Sequence, residues 1–173
     1  MVFISSAFQT LVLWEVFHGR LLTDQHIQNK GFHICSICTL CEKHEKSIQH
    51  LLFECSNALR IWSWVQKFFL TSHFFNKDDL LSFIKSDGSP LVKLIKLVVI
   101  TVSIWMIWRM RNYVHFQDKI EVSRAILVIK YLNLLVGNSF KASMKNDMLD
   151  FNVIRFFGFN THTSKVLRHL SVR

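Results

Sequence analysis

The stretch CTLCEKHEKSIQHLLFEC, residues 38–55, decides how the N-terminal part of this chain folds. It contains Cys38 and Cys41, then eight residues before His50, and four more before Cys55. A Cys-x-x-Cys turn directs two thiolates to one centre, and a later His and Cys complete a tetrahedron around zinc. We therefore predict that Cys38, Cys41, His50 and Cys55 bind one structural Zn2+ ion, in a closed site with no open position for catalysis.

Other ligand choices in the same stretch stay open. Cys35 and Cys38 form a second Cys-x-x-Cys pair, and His44 lies between the second cysteine and His50. The apolar N-terminus lacks the cationic region of a secretory signal, so we expect an intracellular, cytoplasmic or nuclear protein with reduced thiols. In that setting clustered cysteines favour metal ligation over disulfides, and unrelated cysteines in a helical core are the alternative.

The spacing of the second ligand pair restricts its backbone. Residues five apart on an α-helix lie about 140° apart around the axis, so they do not converge on one metal. We therefore predict a single turn over residues 51–54, a break at Cys55, and a regular helix that begins after Ser56. Leu51, Leu52 and Phe53 would shield the site from water.

Hydrophobic periodicity outside this stretch predicts an all-α protein. Half of the 173 residues are hydrophobic, with one proline and five glycines, a composition unlike that of a disordered chain. Apolar residues that recur every three to four positions, together with capping residues, predict six helices. They lie near residues 3–17, 23–31, 56–70, 76–84, 91–116 and 121–145. We expect a zinc-stabilised helical module at 1–75, a linker with a short helix at 76–90, a helical hairpin at 91–147, and a mostly irregular tail at 148–173.

The long predicted helix after Pro90 requires a choice between core and membrane. Only residues 97–108 are free of charge, whereas a bilayer crossing needs about 20 mostly apolar residues. A buried core helix is therefore the better interpretation, with a membrane span as the alternative. We expect its more polar end, at Arg109 and Arg111, to project from the core.

The charge balance points to polyanionic partners. Lys and Arg total 21 against 12 Asp and Glu, a formal net charge of +9, and such a surplus favours RNA or DNA through counterion release. We expect phosphate contacts from five basic residues near the metal stretch: Arg20, Lys30, Lys43, Lys46 and Arg60. The alternative is a basic face that is only solvated.

The sequence contains no recognisable catalytic apparatus. Reverse transcriptases and ribonucleases H need carboxylates that converge on two metal ions. The adjacent Asp78 and Asp79 stand at a predicted helix start, where capping and the helix dipole explain them. There is also no glycine-rich phosphate loop, so we predict a protein that is not an enzyme and has no small-molecule substrate.

Several motifs around the cysteines carry a resemblance to a known family. Leu13-Trp14, the run GRLLT at 19–23, Gly31, Glu45, the run HLLFEC at 50–55 and Trp62 occur in the order expected. Together they resemble the zinc-binding domain that follows the reverse transcriptase in plant LINE-type retrotransposon polyproteins. The segment IWMIWRMRN at 104–112 is similar to a motif further downstream in the same elements, and residues 163–168 are similar to the linker before their ribonuclease H domain.

The resemblance implies a non-catalytic zinc module between polymerase and ribonuclease H that contacts those domains in a longer polyprotein. The chain departs from the family pattern at Leu22, where proline is usual, and at Glu42, where glycine is common. Neither change removes a ligand. The rival hypothesis is a protein-interaction or scaffolding role, in which Trp105 and Trp108 bury against the missing neighbouring domains of a longer polyprotein. A third alternative is a decayed mobile-element fragment with no selected function.

Overall fold

The computed structural model describes residues 6–21, 23–33, 36–114, 122–139 and 148–157. In this part of the chain all regular elements are helical, as predicted, and one isolated antiparallel bridge joins Ile37 to Glu45. The elements are α1 Ser6–Phe17, α2 Asp24–Gln28, a π-helical turn His50–Glu54, α3 Ser56–Phe69, α4 Lys77–Lys85, α5 Pro90–Val114, α6 Val122–Ser139 and α7 Met148–Phe157.

Helix ends follow local sequence signals. Gly19 terminates helix α1 just beyond Phe17, and its φ of 63° suits glycine. Gly19 and Arg20 donate to the carbonyls of Val16 and Glu15. This is the paired hydrogen-bond pattern of a Schellman cap. At the start of α4, Asn76 and Asp79 form a reciprocal capping box, which confirms the capping role predicted for Asp79.

Helix α5 is the centre of the fold. It contacts α1, α3, α4, α6, α7 and the π-helical turn, so the predicted pairing of α5 with α6 is confirmed. One hydrophobic cluster includes residues from before and after the turn at 86–90. The division of the chain at that turn stays a prediction.

The sequence of α5 is long and apolar enough to cross a membrane over Pro90–Tyr113. In the fold, 67% of its most apolar 18-residue window is buried inside the protein. The ammonium group of Lys96 is also accommodated, since its Nζ donates to Ser86 Oγ at 2.6 Å and to the Asp87 carbonyl at 2.9 Å. Burial lowers the pKa of Lys96. These contacts are those of a core helix.

The tail was predicted to be mostly irregular, and for residues 148–157 that prediction is wrong. Helix α7 buries Val153 and Phe157. It also buries the carboxylate of Asp150, which accepts a hydrogen bond from Ser89 Oγ. Ser89 precedes Pro90, and its Oγ accepts from the Val92 backbone at 3.2 Å, so it caps α5. The partner of α7 is therefore the start of α5, which local periodicity does not show; residues 158–173 lie outside the described ranges.

Candidate metal centre

The first cysteine pair stands in a short hairpin-like loop. The Cys38 backbone donates to the His44 carbonyl at 2.8 Å, and the Lys46 backbone donates to the Ser36 carbonyl at 3.2 Å. At the tip, the Glu42 backbone donates to the Cys38 carbonyl at 2.7 Å. These bonds fold residues 38–41 into a turn, which brings the sulfurs of Cys38 and Cys41 within 4.8 Å of each other.

The second pair is held by the π-helical turn. The Cys55 backbone donates to the His50 carbonyl at 2.7 Å, an i→i+5 closure that stacks residues five apart on one side. Cys55 itself is extended, with φ −63° and ψ 132°, and α3 begins at Ser56. The predicted single turn and the break at Cys55 are confirmed. On an α-helix, His50 and Cys55 would lie about 140° apart around the axis. The π turn removes this divergence and brings them to the same side.

These two supports bring the four predicted ligands together. The sulfurs of Cys38, Cys41 and Cys55 and a ring nitrogen of His50 all lie within 4.8 Å of one another. Cys38 Sγ lies 3.9 Å from Cys55 Sγ, and Cys41 Sγ lies 3.3 Å from His50 Nε2. A tetrahedron with the usual zinc bond lengths has S–S edges of about 3.8 Å and S–N edges of about 3.5 Å. These separations fit such a tetrahedron, so the four residues form a candidate zinc site.

The electrostatics of the site also suit a divalent cation. The hydrogen bond between the two buried thiol groups lowers the pKa of Cys38 to about 4, against the opposing effect of burial. The same hydrogen bond, together with burial, raises the pKa of Cys55. Two thiolates at this distance would repel each other without a cation between them. A zinc ion removes that repulsion and binds both as thiolates.

The neighbouring contacts position the ligand loops. The indole Nε1 of Trp62 donates to the Leu52 carbonyl at 2.5 Å, which satisfies a buried carbonyl inside the π-helical turn. Asn57 Nδ2 donates to the Leu40 carbonyl at 2.9 Å, which fixes the Cys38–Cys41 turn to α3. The His50 backbone donates to Ser47 Oγ at 2.9 Å. Hydrogen bonds of this kind around a metal site keep its ligands oriented.

The turn residue Glu42 adopts a left-handed conformation with φ 56°. This is the position where the family pattern commonly has glycine, and a side chain there costs roughly 1 kcal/mol. We expect Glu42→Gly to raise the free energy of unfolding by about 0.5–1 kcal/mol. Urea unfolding of the zinc-loaded protein measures the change.

Lys43→Gly provides the matched control, since Lys43 is the next residue, is exposed, and has a negative φ. Glycine there should lower the free energy of unfolding by a few tenths of a kcal/mol to about 1 kcal/mol, because it gains only unfolded-state entropy. Equal effects of the two substitutions would contradict the conformational argument.

A buried ion network joins the ligand loop to the rest of the fold. Lys46 is 3% exposed, and its Nζ contacts Asp24 Oδ2 at 2.8 Å. The other carboxylate oxygen of Asp24 accepts from Arg111 Nη2 at 3.1 Å. Asp24, at the start of α2, therefore bridges the loop and α5.

This network corrects two predictions from sequence. Lys46 was expected to contact phosphate, but its ammonium is buried against Asp24. Arg111 was expected to project from the core, yet it is 8% exposed and takes part in the same network. In both cases a carboxylate distant in sequence provides the counter-charge that burial requires.

Within the described ranges, the structure places the other predicted site residues outside the ligand cluster. His44 is exposed, with its ring centroid 5.0 Å from that of His50, and it is not among the clustered ligand atoms of the described residues. Cys35 and Leu22 lie outside the described ranges. Four of the basic residues predicted to contact phosphate are exposed: Arg20, Lys30, Lys43 and Arg60. Sequence reasoning missed the contacts of Asn57 and Asp24, because their partners are distant in sequence. Ser47, three residues before His50, has the spacing of a helix-start contact.

Comparison with known families identifies this region. Residues 5–62 match the family model described as zinc-binding in reverse transcriptase. This match and the four clustered ligands support a reverse transcriptase zinc-binding domain at residues 5–62. The match extends from the start of α1 to Trp62, so it includes all four clustered ligands and the indole that binds the π-helical turn. No curated protein and no solved structure matches the chain.

The family assignment bears on catalysis. A reverse transcriptase zinc-binding domain is a zinc-binding domain and not a catalytic one. The adjacent carboxylates that were considered from sequence, Asp78 and Asp79, lie at the start of α4. Asp79 Oδ2 accepts from the backbones of Phe75 and Asn76 at 2.7 and 3.2 Å. Its role is helix capping.

Proposed function

We propose that this protein is a non-catalytic zinc module of retrotransposon origin that assists the binding of RNA or DNA. The observation that carries the proposal is the set of exposed cations on the zinc-binding domain. Arg20, Lys30, Lys43 and Arg60 all remain exposed after folding, although Lys46 is buried. Exposed Lys and Arg on a chain of net charge +9 favour phosphate binding.

One exposed aromatic supports the same function. Trp14 is 44% exposed and stacks on His18 with ring centroids 4.3 Å apart. The guanidinium of Arg20 lies 5.3 Å from the Trp14 ring centroid. Aromatic and guanidinium planes side by side are surfaces on which unpaired bases stack.

The LINE-type origin rests on the downstream resemblance at 104–112. In the structure this segment belongs to α5, where Trp105 is buried and Arg111 contacts Asp24 of the zinc-binding domain. Both resembling segments therefore meet in one core. This arrangement supports an origin in the region between polymerase and ribonuclease H of a longer polyprotein.

The rival protein-interaction hypothesis predicted an apolar patch around Trp105 and Trp108. Trp105 is 3% exposed and Trp108 is half-buried within α5. These side chains are used inside the fold, so they do not favour the rival hypothesis.

The test is an anisotropy titration of zinc-loaded protein with labelled single-stranded RNA and DNA of about 20 nucleotides, at about 50 and about 200 mM salt. Binding should weaken at least about tenfold at the higher salt, because phosphate contacts release counterions. Arg20→Glu combined with Arg60→Glu should weaken binding by a similar factor.

The matched control for charge is Lys85→Glu combined with Lys93→Glu, which changes the net charge equally at exposed positions outside the zinc-binding domain. Its effect should be smaller, about threefold or less. If the wild-type protein binds neither RNA nor DNA at the lower salt, the proposed function is wrong.

A further inference from the structure

A second surface with cationic and aromatic side chains lies outside the zinc-binding domain. A groove of about 610 Å³ runs between the end of α3 and α7. It is lined by Trp64, Lys67, Phe68, Leu70, Asn152, Arg155 and Phe156. We call it the α3–α7 groove. Its volume is in the range of ligand-binding clefts.

The aromatic side chains form one contiguous group along the groove. The ring centroid of Phe156 lies 4.2 Å from that of Phe68 and 5.8 Å from that of Trp64. All three rings are half-buried, so part of each faces solvent. Behind them, Phe69 and Phe157 are buried in the core and fix the ring positions.

The charged side chains that line the groove are all cationic. Lys67 and Arg155 are exposed, and the lining residues include no carboxylate. Lys130, on α6, places its Nζ 4.6 Å from the Phe156 ring centroid, which adds a third cation beside the aromatic group. Lys67 and Arg155 stand in the last turns of α3 and α7, where the helix dipole also favours a cation, whereas Lys130 lies in the middle of α6.

Cations alone would favour any polyanion, and aromatic rings alone would favour any apolar partner. Their combination favours a ligand with phosphates and flat rings together. Duplex DNA keeps its bases stacked inside, so only an unpaired strand presents bases to aromatic side chains.

We infer that the α3–α7 groove binds single-stranded nucleic acid, with a base stacked on Trp64 beside Phe156 and phosphates held by Lys67 and Arg155. This inference rests on the proposed function and gives it a second contact surface, distinct from the metal site. Residues 5–62 do not include the groove residues, so it does not follow from the family assignment.

The experiment is an anisotropy titration of the full zinc-loaded chain with labelled oligo-dT and oligo-U. Lys67→Glu combined with Arg155→Glu should weaken binding at least about tenfold. Since two phosphate contacts are lost, the slope of log K against log salt should become shallower by about 1.4. The Lys85→Glu and Lys93→Glu double variant carries the same charge change outside the groove and should shift binding about threefold or less.

Base stacking on Trp64 is tested separately from the phosphate contacts. Trp64→Ala should weaken binding about fivefold or more, because base–aromatic stacking is lost, whereas Tyr131→Ala, at an exposed aromatic on α6, should leave it unchanged. Oligonucleotide should quench the fluorescence of the wild-type protein, and Trp64→Phe, which preserves an aromatic ring, should reduce that quenching.

The outcomes separate the two proposals. If the wild-type chain binds no oligonucleotide, both fail. If it binds but the groove variants match their controls, the groove inference alone is overturned. Inorganic polyphosphate that competes as well as the oligonucleotide, or polyglutamate that binds in its place, would likewise overturn it, since neither provides bases to stack.

Discussion

Removal of zinc with a chelator should unfold the N-terminal part of this protein. Cys38 and Cys55 are buried, and without the cation their sulfurs cannot both be thiolates. Structural zinc contributes roughly 10 kcal/mol in small zinc domains, while a whole domain is stable by about 5–15 kcal/mol. The loss therefore removes most of the available stability. Circular dichroism melts with and without chelator, and zinc content by mass spectrometry, measure it.

Single cysteine variants assign the ligands. Cys38→Ser should lose the zinc and melt like the chelated wild type, because serine is a poor zinc ligand in a thiolate site. Cys35→Ser is the matched control and should retain one zinc per chain with an unchanged melt. Retention of zinc in Cys38→Ser, or its loss in Cys35→Ser, would show that the cluster of Cys38, Cys41, His50 and Cys55 is not the ligand set.

Asp24→Asn should lower the free energy of unfolding by about 3 kcal/mol. The substitution keeps the shape of the side chain but removes the charge that two cations share. Lys46 and Arg111 have side-chain exposures of 4% and 10%, against 16% for Asp24. Removing one partner of a buried ion pair typically costs about 3–5 kcal/mol, and the residual exposure of Asp24 places the expected value at the lower end. Urea unfolding of the zinc-loaded protein measures it.

Asp78→Asn is the control, since it makes the same chemical change at an exposed carboxylate in the first turn of α4. Its effect should be about 1 kcal/mol or less, because only a favourable interaction with the helix dipole is lost. If Asp24→Asn were as mild as Asp78→Asn, the network would not contribute to holding the ligand loop on α5. Zinc content should stay at one ion per chain in both variants, because neither residue is among the clustered ligand atoms.

Local signals predicted the parts of the structure that depend on neighbouring residues. The spacing of Cys38, Cys41, His50 and Cys55 pointed to a metal site, and the divergence of helical positions five apart predicted the break at Cys55. The apolar repeat after Ser56 predicted α3, and Asn76 with Asp79 predicted the start of α4. Each of these features is determined within a few turns of the backbone, where spacing and capping act directly.

The parts that sequence reasoning missed depend on partners far along the chain. Asp24 and Arg111 are 87 residues apart, and Ser89 and Asp150 are 61 residues apart. No local pattern shows which cation a carboxylate will neutralise or which helix end a buried serine will cap, so Lys46 and Arg111 were read as exposed and α7 as an irregular tail.

The sequence by itself thus determined the identity and spacing of the candidate ligands, the helical class and most helix boundaries. Only the tertiary structure decided that a π-helical turn aligns His50 with Cys55, that α7 packs on the start of α5, and which basic residues stay exposed. The physical reason is that burial of a charge or polar group is stable only when a partner reaches it, and the fold alone brings such partners together.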